Sequence, residues 1–333
     1  MENQNIMNRK KIHTVAILGT GAVGSYFVWG LQEKLGENLW VIAKGERKAR
    51  LASEGISINE VDYQLHVRTP REAKGADLLI VATKYAALGD ILDDIAEIVE
   101  DHTIVVSPLN GVDSEEVIGA RIGMDKILWS NIKIASQRVG RSIRFIPKIT
   151  LGLTFGETIQ AQSGQKETGK AEPGPRMRAM AELFDGTPLR YQMSEDIMTD
   201  IWYKFAFNVS RNLPQAILGC GVGAYDDSEN VKHLMMCLRN EVVAVAGAQG
   251  IDIRELSPLE KRRGVSAPYA RYSTLQDLDA GRHTEIDMFS GTVIRLGKKY
   301  GISTPYNEFV YYAIKALEEK NDGAFDYEVG YGK

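Results

Sequence analysis

Cysteine is nearly absent: Cys220 and Cys237 are the two in 333 residues. Two thiols cannot build a disulfide framework, so the chain reads as one for a reduced, cytoplasmic setting. Histidine is scarce too, with five. Neither HExxH nor CxxC occurs, which leaves no recognisable metal site. No run of about 18 apolar residues exists, so no membrane-spanning helix is expected. The net charge of −4 shows no excess of basic residues, which argues against a nucleic acid or an anionic membrane as partner. The basic clusters RKK at 9–11 and EKRR at 260–263 are short and read as solvated surface. No repeat and no long low-complexity tract is present. The opening MENQNIMNRKKI, residues 1–12, lacks an apolar signal core and reads as a polar tail.

What is present is an ordinary globular balance, 44% apolar and 25% charged, over a length that suggests two domains. Short apolar, β-branched runs occur at 13–18, 39–44, 76–83 and 103–110. Each reads as a buried parallel strand, and segments of helical periodicity lie among them. Such alternation predicts an open parallel sheet covered by helices. The stretch 162–176, QSGQKETGKAEPGPR, is the most linker-like. After about residue 193 strong strands disappear and helical periodicity takes over. The expected fold is therefore α/β, with a Rossmann-type dinucleotide-binding domain at 1–193 followed by an all-helical domain at 194–333. Ser194 is placed to cap the first helix of the second domain, with Glu195 and Asp196 suiting its positive end.

The turn Gly19-Thr20-Gly21-Ala22-Val23-Gly24 is a G-x-G-x-x-G sequence. Alone such a motif is weak, but here a strand precedes it and a helix follows, at the start of a βαβ unit. The three glycines then serve a tight turn, close approach of a pyrophosphate, and close packing of helix on strand. An NAD site usually places an acid at the end of the second strand. Here that place holds Lys44, with Arg47 and Lys48 close by. Cations there attract a 2′-phosphate, so NADP(H) is expected rather than NAD(H). The bland alternative is a solvated charge cluster opening a helix, and Glu46 is discordant.

In IWYKFAFNVSRNLP, residues 201–214, Lys204, Asn208 and Asn212 recur every four residues among apolar and aromatic neighbours. At 3.6 residues per turn they drift about 40° per step and share one side of a helix. A lysine and two amides in so apolar a segment need partners if buried. A substrate, an interhelical hydrogen bond or water would each serve. Glu285 aligns at helical spacing with Phe289, Thr292 and Leu296, so its carboxylate is expected to face the core. The apolar helix VKHLMMCLRNEVVAVAGA, 231–248, suits either an internal core or the face of a homodimer.

The order of these elements resembles the 2-dehydropantoate 2-reductase (ketopantoate reductase) family. The resemblance rests on ILGTGAVGSYF, VIAKGE, VATKYAAL, PLNGV, WYKFAFNVSRN and the long stretch STLQDLDAGRHTEIDMFSGTVIRLGKKYGISTPYNE, which together run from the glycine turn to about residue 320. It implies NADPH-dependent reduction of a small 2-oxo acid. By that resemblance Lys204 is the general acid, Asn208, Asn212 and Ser273 bind substrate, and Asn110 lies near both nicotinamide and substrate. Glu285 helps hold the lysine and the ligands. Lys84, with Lys44 or Arg47, binds the cofactor, and Ala135 contacts it through its backbone. A lysine ammonium suits the role, because hydride reaching a ketone leaves negative charge on oxygen.

The chain departs from the family pattern on the substrate side. Ala270 stands where the family has asparagine, Leu213 separates Asn212 from Pro214, and GCGVGAY fills 219–225. Lost polar partners change discrimination strongly. Arg271, beside the lost asparagine, offers a different carboxylate contact. The expected activity is ketopantoate reduction. The alternatives are reduction of another 2-oxo acid and, in a different class, a non-catalytic NADP(H) sensor.

Overall fold

The structure is a computed structural model and describes residues 11–134, 136–139, 142–158, 173–257, 260–261 and 267–325. The tail through residue 10, Ala135, residues 162–172 of the linker-like stretch, and Arg262 and Arg263 lie outside the described residues. The backbone packs into two compact units, Met1–Ile201 and Trp202–Lys333.

The first unit begins with β1 (Val15–Leu18), α1 (Ala22–Leu35), β2 (Leu39–Ile42), α2 (Gly45–Glu54), β3 (Ile56–Ile58), β4 (Val61–Tyr63) and β5 (His66–Arg68). It continues through β6 (Leu78–Val81), α3 (Leu88–Ile98), β7 (Ile104–Val106) and α4 (Ser114–Ile122). Its later part adds β8 (Trp129–Lys133), β9 (Ser136–Val139), β10 (Ser142–Phe145), β11 (Gly152–Gly156), α5 (Pro175–Phe184) and β12 (Tyr191–Met193). Strands β5-β2-β1-β6-β7 form an all-parallel sheet. This is the doubly wound order, in which the chain leaves β1 first to one side and then to the other. The register pairs Val15 with Leu39 and with Leu78.

The runs VAIL, LWVI, LLIV and IVV are buried along their whole length. A strand covered on both faces requires this continuous apolar pattern. Val15, Ile17, Ile80 and Val106 meet Phe27, Leu31 and Phe184 in one core, all nearly inaccessible to water. Each such side chain contributes roughly 1.5–3 kcal/mol by leaving water. Two smaller sheets, β4-β3-β10-β9 and β12-β11-β8, complete the unit. Their strands are only three to five residues long, too short for the alternation of sequence to announce them.

The second unit is helical among its described residues. It comprises the greater part of α6 (Ile197–Leu218), then α7 (Ala224–Asp227), α8 (Glu229–Ala248), α9 (Ser273–Asp279), α10 (Thr292–Tyr300) and α11 (Pro305–Asn321). The turn before α6 differs in detail from the expected cap. Asp196 accepts the N–H of Thr199, while Ser194 accepts the N–H of Asp196 and donates to Asp200. Asp196, one residue before the helix, is the closer fit to the N-cap position. Leu238, Val242 and Val245 of α8 are buried in this unit, so much of that helix's apolar face is internal. Arg239 forms a buried ion pair with Glu260 at 2.6 Å and donates to the carbonyls of Ile253 and Glu255. Glu241 accepts the N–H groups of Tyr306 and Asn307 at the start of α11, where a carboxylate meets the positive end of a helix.

Candidate active site

The expected cofactor residues of the first unit collect at the carboxyl ends of parallel strands. The glycine turn follows β1, Lys44 and Arg47 follow β2, Lys84 follows β6, and Asn110 follows β7. Parallel strands bring these ends to one edge of the sheet. Gly19 has φ +110°, and a Cβ there would lie 2.5 Å from the carbonyl oxygen of Ala82, at the end of β6. A Cβ at Gly24 would lie 1.9 Å from the carbonyl oxygen of Gly19. Both positions therefore demand glycine. Gly21 differs: a Cβ there would meet nothing within 4 Å.

The first backbone bond of α1 runs from the Ser25 N–H to the Gly21 carbonyl at 2.9 Å. The N–H groups of Ala22, Val23 and Gly24 consequently precede the helical ladder. No acid occupies that first turn, so the positive end of the helix is unopposed there. Open space at Gly21 beside these donors fits the pyrophosphate of a dinucleotide.

The cations after β2 divide their roles. Arg47 Nη2 donates to Thr20 Oγ1 at 3.3 Å, which sets its guanidinium beside the glycine turn. Lys44 instead reaches Asp94 at 2.7 Å, and this bond raises its pKa above the ordinary lysine value. Lys48 pairs with Glu72 and, with the N–H of Thr69, holds that carboxyl down to about 2. Asp94 and Glu72 are distant in sequence, which is why the cation cluster alone did not separate the three. Asn110 is half-buried and Lys84 exposed.

Sequence reasoning passed over Glu115, at the second position of α4. It is buried, accepts from Ser114 Oγ at 2.7 Å and from the Ser130 N–H at 3.3 Å, and Ser114 in turn accepts from Ser107 Oγ at 2.9 Å. Burial, with the nearby Asp113 carboxyl adding to it, pushes Glu115 up to about 7. The Ser107–Ser114 bond joins the two ends of the loop that carries Asn110.

In the second unit, α6 presents its polar stripe. Trp202, Phe205 and Val209 are buried on one side, while Lys204 and Asn208 are half-buried. Asn212 is 4% exposed, and its Oδ1 accepts no hydrogen bond among the described residues. Gln215, in line with Lys204, is buried as well, so this end of the stripe lies in the interior. At that level of the helix Arg211 and Gln215 continue the line of Lys204 and Asn208. Gln215 donates to the Ala270 carbonyl at 3.1 Å and accepts the Tyr272 N–H at 2.7 Å, so it ties residues 270–272 to α6. Ser273 follows as the first residue of α9 and is exposed. Arg271 pairs with Asp279, so its carboxylate partner is one of the chain's own.

Glu285 is half-buried, but the straight helical spacing expected around it is broken. A π-helical turn spans Asp287–Gly291, with the Gly291 N–H bonded to the Ile286 carbonyl. Glu285 precedes this turn, and its carbonyl accepts from Met288 and Phe289. The extra residue of a π-turn shifts the phase between Glu285 and Thr292. The turn is fastened by Thr284 to Glu318 and by Asp287 to Tyr311 and Lys315. Phe289 meets Phe205 of α6 at 6.3 Å between ring centres, next in sequence to Lys204. Among the described residues no cluster of metal-ligating side chains occurs, and no helix is long and apolar enough to cross a membrane.

A doubly wound sheet with a glycine turn at its switch point, followed by a helical unit, defines a Rossmann-type α/β protein with an NAD(P)-binding fold. Residues 15–156 match the family described as ketopantoate reductase PanE/ApbA, and residues 196–318 match its C-terminal counterpart. The chain belongs to the ketopantoate reductase family, a family of oxidoreductases. It is 28% identical over 323 residues to the 2-dehydropantoate 2-reductase of Lactococcus lactis, covering 92% of this chain and 98% of that one. Among solved structures, a D-mandelate dehydrogenase in complex with NADH and anilino(oxo)acetate shares the fold, with a TM-score of 0.76 at 23% identity over 93% of this chain and 99% of that one. A dimeric ketopantoate reductase from Staphylococcus aureus shares it as well, with a TM-score of 0.69 at 18% identity over 92% of this chain and 99% of that one.

Proposed function

We propose that this protein reduces a 2-oxo acid to the corresponding 2-hydroxy acid with NADPH. The observation that carries this reading is the half-buried stripe of Lys204 and Asn208 on α6, with the turn of Glu285 packed against the same helix through Phe289. A reduced nicotinamide bound at the strand ends supplies the hydride. In this reading the Lys204 ammonium stabilises the charge developing on the ketone oxygen and then gives it a proton. Glu285 helps to hold the lysine and the ligands, and Asn208, Asn212 and Ser273 bind the substrate's polar groups. Asn110 serves both nicotinamide and substrate, and Lys84, with the Ala135 backbone, serves the cofactor. Arg47 beside Thr20 supports recognition of a 2′-phosphate, hence NADPH over NADH.

The same reading takes the Ser194 turn, just before α6, as the domain boundary. A homodimer in the cytoplasm is part of the same reading, supported by the dimeric relative and the two free cysteines.

For the substrate, the names of the relatives support 2-dehydropantoate. A second reading, a different 2-oxo acid, is favoured by Ala270, whose side chain offers no hydrogen bond, and by Arg211 on the stripe. NADPH consumption by the purified protein with 2-dehydropantoate beside a panel of 2-oxo acids tests both. A preference for 2-dehydropantoate establishes the first, a preference for another acid the second, and no turnover with any sinks the reductase reading.

A further inference from the structure

Arg211 is a half-buried cation whose charge is unanswered by the chain's described residues. Its Nη2 makes one long bond, 3.4 Å, to the carbonyl oxygen of Glu260. Its Nε is buried with no hydrogen-bond partner among the described residues. The Glu260 carboxylate is committed to Arg239 and to the Ser257 N–H. The guanidinium lies against the ring faces of Phe207 and Tyr225, at 5.1 and 5.5 Å from their centres. The phenol of Tyr225 donates to the Arg211 carbonyl oxygen, and burial raises the pKa of Tyr225 and of Tyr272, so neither ring offers a phenolate. A guanidinium held by aromatic rings, partly out of water and without a carboxylate, is costly to keep unless an anion completes it.

Position along the helix then says which anion. Residues 204, 208 and 211 lie within about 60° of one another on the helical wheel. Side chains of a helix lean toward its N-terminus, so Lys204 and Arg211 lean the same way. Their heads therefore stay apart by roughly the helical rise between them, about 10 Å. The carboxylate of a simple 2-oxo acid is bonded directly to the ketone carbon, too close to serve Arg211 while Lys204 serves the ketone oxygen. A second carboxylate at the far end of the substrate has the needed reach. The other polar groups nearby are already committed: Gln215 to Ala270 and Tyr272, Arg271 to Asp279.

We propose that Arg211 binds a distal carboxylate, making 2-oxo dicarboxylic acids the preferred substrate class. This rests on the 2-oxo acid reductase reading and takes its second substrate alternative. The planar fork of the guanidinium suits a carboxylate in two-point contact, and the rings of Phe207 and Tyr225 hold its plane. Asn208 lies between the two cations, along the middle of such a substrate.

The test compares 2-oxoglutarate with 2-oxovalerate, which has the same chain length but ends in a methyl group. The expected result is a kcat/KM for 2-oxoglutarate higher by about tenfold or more, with Arg211→Gln removing that preference and Arg211→Lys retaining part of it. A wild-type preference for 2-oxovalerate or for 2-dehydropantoate overturns the proposal, as does a ratio that Arg211→Gln leaves unaltered. Should Arg211→Gln not fold, the ratio in Arg211→Lys decides: no change from the wild type counts against the proposal. Thermal unfolding with 2-oxoglutarate alone separates the two levels. If no 2-oxo acid is turned over, the reductase reading fails. An upshift that is absent with 2-oxovalerate and lost in Arg211→Gln then still supports the anion site, and no upshift overturns it.

Discussion

At the carboxyl edge of the five-stranded sheet, much of what the proposed reading offers a ligand is backbone; on α6 it is side chains. The glycine turn presents N–H groups whose directions follow from the path of β1 into α1, and Gly19 and Gly24 allow that path because no Cβ fits. On α6 the fold is maintained by Trp202, Phe205 and Val209 on the buried side, while the other side carries Lys204, Asn208 and Arg211. The first kind of recognition resists change, since altering it means altering the chain trace. The second can be rewritten one residue at a time while the core of the helix stays as it is. The departures that the resemblance implies at Ala270 and in 219–225 fall on the side where, in the proposed reading, rewriting is cheap.

The comparison breaks most visibly at Lys204. Replacing Lys204 with alanine is expected to lower kcat by roughly 10²–10⁴, with NADPH affinity, read by fluorescence titration, within about twofold of the wild type. A comparable loss of NADPH affinity would mean that the two kinds of recognition are not separable.

A pH effect belongs to the first unit. Glu115 titrates near 7 when folded against an ordinary value of 4.5. Its folded pKa is the higher one, so the folded state binds more protons between those values, and stability falls as pH rises through that window. The favourable contribution is complete below about 4.5 and lost above about 7. Relative to Glu115→Gln, the wild type should lose about 3 kcal/mol between pH 4.5 and 8 in urea unfolding. Parallel curves for the two proteins would show that Glu115 is not carrying the proton.

The glycines sharpen the comparison further. Gly24→Ala should cost about 2–3 kcal/mol by overpacking against the Gly19 carbonyl, seen as a lower Tm. Gly21→Ala should leave Tm nearly intact and weaken dinucleotide binding, because its Cβ enters open space. Equal Tm losses in both would mean that Gly21 is structural. The smallest effect is expected at Arg47: Arg47→Ala should reduce the NADPH over NADH preference about tenfold in kcat/KM, the loss of one charge-assisted contact. If Lys44→Ala reduces it more, the cation facing the 2′-phosphate is Lys44 despite its bond to Asp94.

The parallel sheet and the glycine turn were legible because both are written in neighbouring residues. A buried strand must be apolar throughout, and a G-x-G-x-x-G turn declares itself within six positions. The stripe of α6 was legible for the same reason, through Lys204 and Asn208. Its continuation was less so: a four-residue spacing points to Asn212, which is buried, and passes over the half-buried Arg211 one position before it. Glu285 escaped a straight helical reading because a π-turn inserts a residue without any signal in composition. Lys44 looked equivalent to Arg47 until Asp94, fifty residues away, was seen to claim it.

By itself, then, the sequence determined four of the five strands of the parallel sheet and the helical character of the second unit, where the glycine turn lies, and that a lysine and an amide share one face of a helix. These depend on periodicity and local sterics, which a short stretch of chain contains whole. Only the tertiary structure decided which of the cations finds an acid. Lys44, Lys48 and Arg271 each find an acid brought near by folding, and Arg47 finds the glycine turn. Arg211 finds two aromatic rings and no carboxylate among the described residues. Pairing of charges depends on distance in space, and the order of residues along the chain does not contain it.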